Sequence, residues 1–399
     1  MKHYVFTDDH AAAPEQADGY AVQLRKYASL GTGDRARWAD LSRRAGAANI
    51  FAQHWFMDAA LRHSAPDAWL AVVLHGDGTW LGALPLVSAP RFGRWPLRNW
   101  QTWLATNQFL GTPLVSPDDA PRFWRSLLRH LDTRAGGDML LHCRRLAWDD
   151  PACAALIDCC KAGGRAFEIV DRFERPARFP GSGAAPAGRS EKKASARLRS
   201  LRKRLERDHG PVAVAVQSDG ADCEPWIETF LAMERSGWKG AAGSALACSP
   251  GTEGLFREVV RRGREHGLVR LATLTAGGRP LAMSSWFETE NRGAGFKMAF
   301  DEAFRAYAPG QLLMRHVVER IGGNPAMHFD TCTPAPRGKR TSLWSDQRTI
   351  YDCAVAIGPP PRRLLFDGLM RARAACATVR RAVNLLVVPR GGRGAVFRR

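Results

Sequence analysis

The sequence lacks any apolar run long enough to cross a membrane as a helix, which takes roughly 20 such residues. The longest apolar stretch near either end is Leu385–Val388. Residues 1–10 contain one Lys and two Asp and no apolar segment, so they do not resemble a secretory signal. We therefore expect a cytoplasmic protein rather than a membrane-spanning or secreted one.

Metal-site, disulfide and common catalytic motifs are also missing. The nine cysteines are unevenly spaced and form no C-x-x-C pair, so we expect reduced thiols, no disulfide framework and no metal. Cys153, Cys159 and Cys160 are expected to be buried, unreactive thiols on a helix. The sequence contains no H-E-x-x-H, Walker or G-x-S-x-G motif, which excludes zincin, P-loop and ordinary serine-hydrolase chemistry. Gly31-Thr32-Gly33 leads into a helical pattern without a preceding buried strand, which favours a helix-capping turn over a dinucleotide site.

Positive charge is concentrated in two segments. Residues 189–207 hold nine Lys/Arg and two Glu, a net +7, and residues 362–399 hold ten Arg and one Asp, a net +9. Subtracting both from the formal charge of +19 leaves +3 for the rest of the chain. The sequence therefore predicts two basic helices on a nearly neutral body rather than a body-wide nucleic-acid groove.

Two predicted β-hairpins recur 200 residues apart. The hairpins at 69–87 and 268–288 both follow paired helical patterns and open a mixed α/β segment. An overlay without gaps matches Leu74, Gly78 and Leu81 with Leu274, Gly278 and Leu281. We predict an α+β fold made by tandem duplication of one unit.

The composition along the chain predicts five segments. They are a frayed N-terminus (1–24), an N-terminal unit (25–174), a Pro/Gly/Ala-rich linker (175–189), a C-terminal unit (190–358) and a basic amphipathic helix with a tail (359–399).

One loop has the features of an anion site. Tyr307-Ala308-Pro309-Gly310 follows a predicted strand and opens an apolar helix. Free amides of Gly310, Gln311 and Leu312 at the positive helix end would suit a pyrophosphate. The alternative is that Pro-Gly merely begins a helix.

A family resemblance covers some 300 residues in order. It rests on these motifs: K-K…R-K-R in 192–204, E…G-W-K-G in 234–240, G-R-P-L-A-M in 278–283, F-K…F-D-E…Y-A-P-G in 296–310, D…L-W in 330–344, and residues 50–115. With these motifs the chain resembles the CelD-like (cellulose-biosynthesis-type) acetyltransferases of the GNAT superfamily. These are similar to Fem-type aminoacyl transferases, which carry two GNAT-like units in tandem.

The resemblance implies two tandem GNAT-like units, each with a mixed central sheet flanked by helices. It implies an acyl-CoA-dependent N- or O-acyltransferase that uses acetyl-CoA or another acyl-CoA as co-substrate and no metal. A small-molecule or saccharide acceptor related to the cell envelope or to polysaccharide is implied as well. CoA would bind at Pro309, Gly310, Gln311 and Leu312, although only one Gly of the usual Q/R-x-x-G-x-G/A loop is present.

Acyl transfer needs a base for the acceptor proton and an acid for the leaving thiolate. Glu234 and Asp330 are the candidate bases and Tyr307 the candidate acid, each with the alternative of a helix cap or ion-pair partner.

Three further residues are candidates for substrate binding. Trp238 and Lys239 suit acceptor docking. Lys297 either pairs with Asp301 or Asp330 or meets an anionic substrate.

The basic helix 190–208 supports a different class of function. The protein could be an RNA- or membrane-docking module with a degenerate acyltransferase fold, including aminoacyl-tRNA-dependent transfer. The sequence contains no aromatic-plus-basic RNA motif, so a nucleic-acid partner is not favoured.

The C-terminal segment predicts one helix of about seven turns with an apolar stripe. The stripe comprises Leu365, Leu369, Ala372, Cys376, Val379, Val383 and Leu386. It either packs on the body of the protein or lies on an anionic membrane at its inner, cytoplasmic face.

Overall fold

The computed structural model describes residues 19–46, 49–134, 136–182, 189–333, 343–344 and 346–387. The helices and strands of the N-terminal half are β1 (Tyr20–Lys26), α1 (Thr32–Ala45), α2 (His54–Ser64), β2 (Trp69–His75), β3 (Trp80–Ala89), β4 (Asn99–Thr102), β5 (Leu114–Val115), α3 (Ala120–Arg134), β6 (Leu140–Ala147), α4 (Pro151–Ala162) and β7 (Phe167–Arg178).

The C-terminal half repeats much of this order. It contains α5 (Arg189–His209), β8 (Val212–Val216), α6 (Glu224–Ser236), α7 (Trp238–Ala241), α8 (Pro250–Glu265), β9 (Val269–Ala276), β10 (Arg279–Glu288), β11 (Arg292–Phe300), α9 (Pro309–Gly322), β12 (His328–Asp330), β13 (Asp346–Ala356) and α10 (Pro360–Val387). Both predicted hairpins are present, as β2–β3 and β9–β10.

The described strands form one sheet in the order β1-β2-β3-β4-β6-β13-β7-β12-β11-β10-β9-β8, with β5 beside β3. The two halves contribute corresponding strands from opposite edges, and their long last strands have exchanged sides at the centre. β7 pairs with β12 of the C-terminal half, and β13 pairs with β6 of the N-terminal half. The predicted α+β fold with two related units is confirmed, and the two units share a continuous sheet.

A matching close backbone approach occurs in both halves. A Cβ on Gly111 would lie 2.1 Å from the carbonyl oxygen of Arg144, and one on Gly295 would lie 2.4 Å from that of Thr331. In both halves the residue after that carbonyl has a positive φ, 52° at Arg145 and 56° at Cys332. Only glycine fits where the two backbones are this close, and the recurrence supports the duplication.

Aromatic side chains join the two halves in one core. Phe51 and Phe56 of the N-terminal half lie 5.6 and 6.1 Å, between ring centroids, from Phe287 of β10. Phe56 also lies 6.2 Å from Phe296 of β11. These edge-to-face contacts fix the N-terminal half against the strand that carries the candidate site.

The structure corrects two of the predicted segment boundaries. The frayed segment was predicted to reach residue 24, but Tyr20–Lys26 pairs with β2 as a strand. The predicted linker was to begin at residue 175, but Arg175–Arg178 complete β7 and pair with β13 or β12. Residues 1–18 and 183–188 lie outside the described residues.

Two smaller expectations are confirmed. The Gly31 N–H donates to Oδ2 of Asp34 at 3.2 Å, so this glycine-rich segment caps α1. Cys153 and Cys160 are buried, and burial raises the pKa of Cys160 to about 12, as expected for an unreactive thiol. Cys159, the third cysteine of the predicted group, is only half-buried.

The C-terminal segment forms α10, as predicted, but the predicted stripe is not its packed face. Phe366 and Met370 are buried against a cluster that includes Phe92 and Ala354, and Leu369 is partly buried there. Leu365, on the predicted stripe, is 63% exposed. None of the helices in the described ranges has the length and apolar character needed to span a bilayer.

Candidate functional site

The loop before α9 leaves fewer backbone amides free for an anion than the sequence predicts. Ala308 caps α9 in the left-handed region, with a φ of 52°, and Pro309 occupies the first turn. The N–H groups of Gln311 and Leu312 donate to the Ala308 carbonyl at 2.9 and 3.1 Å, which corrects the prediction that both are free. Within the described residues, only the Gly310 amide of these three has no partner.

The four predicted binding residues, 309–312, also differ in their exposure to solvent. Pro309, Gly310 and Leu312 are buried, whereas Gln311 is exposed. A ligand at the start of α9 would therefore meet the exposed Gln311 side chain before the buried Gly310 amide.

Helix α5 brings positive charge to one side of this loop. Arg204 donates to the Ala306 carbonyl at 3.0 Å, and its guanidinium lies 4.5 Å from the centroid of the Tyr307 ring. Leu198 and Leu205 are buried and hold α5 on the body. Eight basic side chains of α5 are exposed: Lys192, Lys193, Arg197, Arg199, Arg202, Lys203, Arg204 and Arg207. The field at this end of α9 therefore favours anions.

The candidate acid Tyr307 is held by the last turn of α5. Its hydroxyl donates to Oδ2 of Asp208 at 3.0 Å and lies 3.2 Å from Nε2 of His209. The hydrogen bond to the Asp208 carboxylate raises the pKa of Tyr307. Tyr307 is thus a protonated phenol at neutral pH, beside the loop that begins α9.

Strand β11 has a bulge in its middle. Ser285 of β10 pairs with Lys297 and Trp286 pairs with Gly295, so Phe296 is an extra residue without a partner on β10. Phe296 packs in the interdomain aromatic core, and Lys297 reaches the N-terminal half. A bulge of this kind interrupts the hydrogen-bond ladder, so the backbone of Phe296, next to Lys297, has no pairing partner on β10.

The buried Glu234 and the half-buried Lys239 form an ion pair against β11. Nζ of Lys239 donates to Oε1 of Glu234 at 2.7 Å and to the carbonyl of Met298 at 3.3 Å. The other oxygen, Oε2 of Glu234, accepts the N–H of Leu246 at 2.8 Å. Both carboxylate oxygens of Glu234 are thus engaged, and the pair ties α6 and α7 to the strand.

Lys297 lies in the same cluster. Its ammonium donates to Oδ1 of Asn107 from the loop between β4 and β5. The pKa of Lys297 is lowered to about 8, mainly by burial; the charge of Glu234 opposes this shift and that of Lys239 adds to it. The predicted pairing of Lys297 with Asp301 or Asp330 is wrong, because Asp301 pairs with Arg279 and Asp330 with two other arginines.

Trp238 stands at the mouth of this cluster. It begins α7 directly before Lys239, and it is 61% exposed. A large exposed aromatic ring beside a buried charged pair is a suitable docking surface for an amphipathic ligand.

Asp330 occupies a different environment from the other candidates. It is 2% exposed, and its Oδ2 accepts hydrogen bonds from Arg175 of β7 and from Arg348 of β13, the latter at 2.7 Å. Burial alone would raise the pKa of Asp330, but the charges of the two arginines outweigh burial and hold the pKa below its usual value. This carboxylate clamps the exchanged strands together, which does not suit a proton acceptor.

The structure therefore brings Glu234, Lys239 and Lys297 into one cluster and places the start of α9 beside the same strand. Sequence reasoning missed Asn107, because nothing in its local sequence indicates contact with a strand 190 residues away. Across the described ranges, no group of three or more His, Cys, Asp or Glu side chains is arranged to hold a metal ion.

Comparison with known proteins gives one family match. Residues 192–340 match the family model described as "Acetyltransferase (GNAT) domain". No curated protein sequence matches the chain. The C-terminal half therefore carries a GNAT-type acyltransferase domain, whereas the CelD-like affiliation stays a prediction.

Several solved structures have a similar overall fold. One is the C-terminal domain of a protein named as a lysylphosphatidylglycerol synthetase from Agrobacterium fabrum, with 14% identity, a TM-score of 0.49, and coverage of 86% of this chain and 95% of that chain. FemX gives 9% identity, a TM-score of 0.47, and 83% and 98% coverage. A tandem GNAT protein from the clavulanic acid pathway gives 15% identity, a TM-score of 0.38, and coverage of 84% of this chain and 98% of that chain. Likeness at this level carries no information about the substrate.

Proposed function

We propose that the chain is an acyltransferase that takes its acyl group from acetyl-CoA or another acyl-CoA. One observation carries the proposal, namely that Met298 touches both ends of the candidate site. Its carbonyl accepts the hydrogen bond of Lys239, and its Cε would lie 3.7 Å from a Cβ on Gly310. The cluster of Glu234, Lys239 and Lys297 and the start of α9 are thus separated by one residue of β11.

The donor would bind at the α9 end. The Gly310 amide and the positive end of α9 suit one phosphate of a pyrophosphate, and the exposed basic residues of α5 suit further phosphates. The usual loop of the superfamily supplies more free amides than this. We therefore assign more of the affinity for the donor to the positive charge of the α5 side chains.

The acceptor would bind at the other end of the cluster. Its amine or hydroxyl attacks the thioester carbonyl, the new bond to the carbonyl carbon forms, and the bond to sulfur breaks. The acceptor proton passes to the neutral amine of Lys297, whose pKa of about 8 makes that form accessible near neutral pH. A backbone amide at the Phe296 bulge would polarise the carbonyl.

The remaining candidates have supporting roles in this proposal. Glu234, whose two oxygens are both engaged, positions Lys239 rather than taking the proton. For Tyr307 we keep the predicted role as the acid that protonates the leaving thiolate; its phenol is protonated and donates to Asp208 beside the start of α9.

For the acceptor we propose a saccharide or small molecule used in building the cell envelope or a polysaccharide, as in the CelD-like assignment. The exposed ring of Trp238 supports a sugar acceptor, since aromatic rings offer an apolar surface next to polar partners. We place the reaction in the cytoplasm, at the inner face of the membrane.

The basic surface of α5 also favours a second donor, an aminoacyl-tRNA. Eight Lys and Arg residues along α5 are exposed, and of these Arg204 lies beside the start of α9; phosphate contacts of this kind bind nucleic acid without sequence readout. The chemistry at Lys297 would be the same, with an ester in place of the thioester.

Calorimetric titration at physiological salt tests the proposal, with CoA and with tRNA as ligands. Gln311→Glu adds a negative charge at the exposed start of α9, where it stabilises the helix but repels phosphate. We expect CoA affinity to fall by roughly tenfold, about 1.4 kcal/mol. Gln311→Met is the neutral control of similar size and should bind CoA normally.

If the protein does not bind CoA but binds tRNA tightly and in a salt-sensitive way, the donor is aminoacyl-tRNA rather than acyl-CoA. Equal CoA affinity in both Gln311 variants would contradict the assignment of the donor to the start of α9.

A further inference from the structure

Helix α10 presents an apolar face that nothing in the described part of the chain covers. Phe366 and Met370 pack on the body, and the face that contains Leu364 and Leu365 points outward, with these side chains 74% and 63% exposed. Cys376, almost three turns further along, is also exposed. Two adjacent exposed leucines on an otherwise well-packed protein mark an interaction surface.

The same helix carries positive charge that the protein does not neutralise. Arg362 donates to the carbonyls of Gly136 and Asp138, and Arg373 donates to the Val170 carbonyl and lies over the Phe92 ring. Arg371 is exposed. Among the described residues, none of these three arginines has a carboxylate partner at salt-bridge distance.

We infer that the outward face of α10 lies on a membrane surface that contains anionic lipid. Leucine side chains would enter the boundary between headgroups and acyl chains, and the exposed Arg371 would meet lipid phosphates. Arg362 and Arg373, which are held on the body, would add their positive charge to the attraction. The only acid on α10, Asp367, does little to oppose this attraction.

Other occupants fit the surface less well. A second copy of the chain docking by the same face would bring two positively charged α10 helices, each with an exposed Arg371, against one another. RNA would bind best where aromatic rings can stack on bases, and the only aromatic residue of α10, Phe366, is buried. Anionic lipid is the partner that takes both the leucines and the arginines.

Vesicle sedimentation of the full chain tests this inference. The probes are vesicles of phosphatidylcholine with one quarter phosphatidylglycerol, and vesicles of phosphatidylcholine alone, both without any acyl donor. We expect pelleting with the anionic vesicles only, weakened by salt. The double variant Leu364→Glu/Leu365→Glu should bind them more weakly by roughly tenfold or more.

Control variants distinguish an effect of the outward face of α10 from general effects of charge and of folding. Ala154→Glu adds a carboxylate on an exposed position of α4 and should pellet normally. Because Leu364 and Leu365 are exposed, the double variant should keep the melting temperature of the parent, unlike a truncation that removes the buried Phe366. Arg199→Glu on α5 should leave vesicle binding nearly unchanged.

The inference is overturned if the full chain does not pellet with anionic vesicles, or if the double variant and the parent pellet equally. Loss of pelleting with Arg199→Glu alone would place the membrane contact on α5 instead. A double variant that abolishes self-association without changing vesicle binding would assign the face to a second copy. Because no acyl donor is present, none of these outcomes bears on the proposed transfer reaction.

Discussion

The ammonium group of Lys297 donates a hydrogen bond to Oδ1 of Asn107, so one residue from each half of the chain takes part in a single contact. Asn107 has a φ of 72°, a conformation that Asn adopts more readily than most residues. The family match lies within residues 192–340, outside the loop that holds Asn107. The N-terminal half therefore completes the surroundings of Lys297, and both halves are needed for the candidate site.

Asn107→Asp should shift the pH dependence of turnover. The substitution is nearly isosteric and places a carboxylate beside Lys297, which favours the ammonium form and raises the pKa of Lys297 from about 8. If neutral Lys297 accepts the proton, the rising limb of kcat against pH moves to higher pH, and turnover at neutral pH falls. Thiol release measured across the neutral to alkaline range would show this shift.

Asn107→Gly is the matched control for that shift. Glycine keeps the positive φ and adds no charge, so it removes the hydrogen bond without attracting the proton. Its rising limb should not move to higher pH. A rising limb that stays at the parental position in Asn107→Asp would mean that Lys297 is not the titrating group.

Lys297→Met should raise the free energy of unfolding at neutral pH while abolishing turnover. A buried lysine whose pKa is lowered to about 8 opposes folding most below pH 8, where it is charged in both states. As pH rises from about 8 toward the unfolded value, the unfolded chain holds the proton that the folded chain has lost, and the parent gains stability. We therefore expect Met to add ~1–3 kcal/mol at pH 7 and less at alkaline pH, in denaturant titrations.

Lys297→Arg distinguishes a proton acceptor from a fixed cation. Arginine stays charged throughout the accessible pH range. It should be as inactive as the Met variant if the neutral amine is needed. Substantial activity of the Arg variant, with no rising limb near pH 8, would indicate that residue 297 acts through its charge.

The sequence predicted elements well where the pattern is local. The hairpins β2–β3 and β9–β10 follow from alternating apolar residues around glycine turns, and α5 and α9 follow from their apolar stripes and from the Pro at the start of α9. Strand exchange could not be predicted, because nothing within β7 or β13 encodes which neighbour completes the hydrogen-bond ladder. Because the sequence after Arg175 is rich in Pro, Gly and Ala, it likewise gave no signal for the last residues of β7.

The candidate site likewise contains contacts that local sequence predicts and contacts that depend on residues far apart in the chain. Proximity of Glu234 to Lys239 follows from five residues of sequence separation across a turn, and both were predicted as site residues. The partners of Asp330, which are Arg175 and Arg348, lie 155 and 18 residues away on the two exchanged strands. A carboxylate in such a clamp and a carboxylate poised as a base look alike in sequence, because burial and charge partners distinguish them only after folding.

Gly295→Ala should weaken the packing of β11 on the segment after β12. A Cβ there would lie 2.4 Å from the Thr331 carbonyl oxygen, which is backbone and cannot rotate away. We expect the free energy of unfolding to fall by ~1–3 kcal/mol, together with loss of turnover because the bulge lies next to this residue. Gly368→Ala on α10, where a Cβ would meet nothing within 4 Å, should be neutral or slightly stabilising. Equal stability of Gly295→Ala and the parent would show that β11 and β12 can separate freely.

Asp330→Asn separates a structural clamp from a catalytic base. The substitution leaves Arg175 and Arg348 buried without their shared counter-charge, so we expect a loss of ~3–5 kcal/mol of unfolding free energy at pH 7. Because the folded pKa of Asp330 lies below the unfolded value, the parent loses this contribution as pH falls through the folded pKa, and the two proteins should converge in acid. Adding Arg348→Met to Asp330→Asn removes one stranded charge and should recover part of the loss at pH 7. Denaturant titrations of all three proteins at neutral and acidic pH measure these differences. If Asp330→Asn keeps the parental stability but loses turnover by roughly 100-fold while still binding CoA, the carboxylate acts as the base that the sequence predicted, and the role of Lys297 as proton acceptor fails.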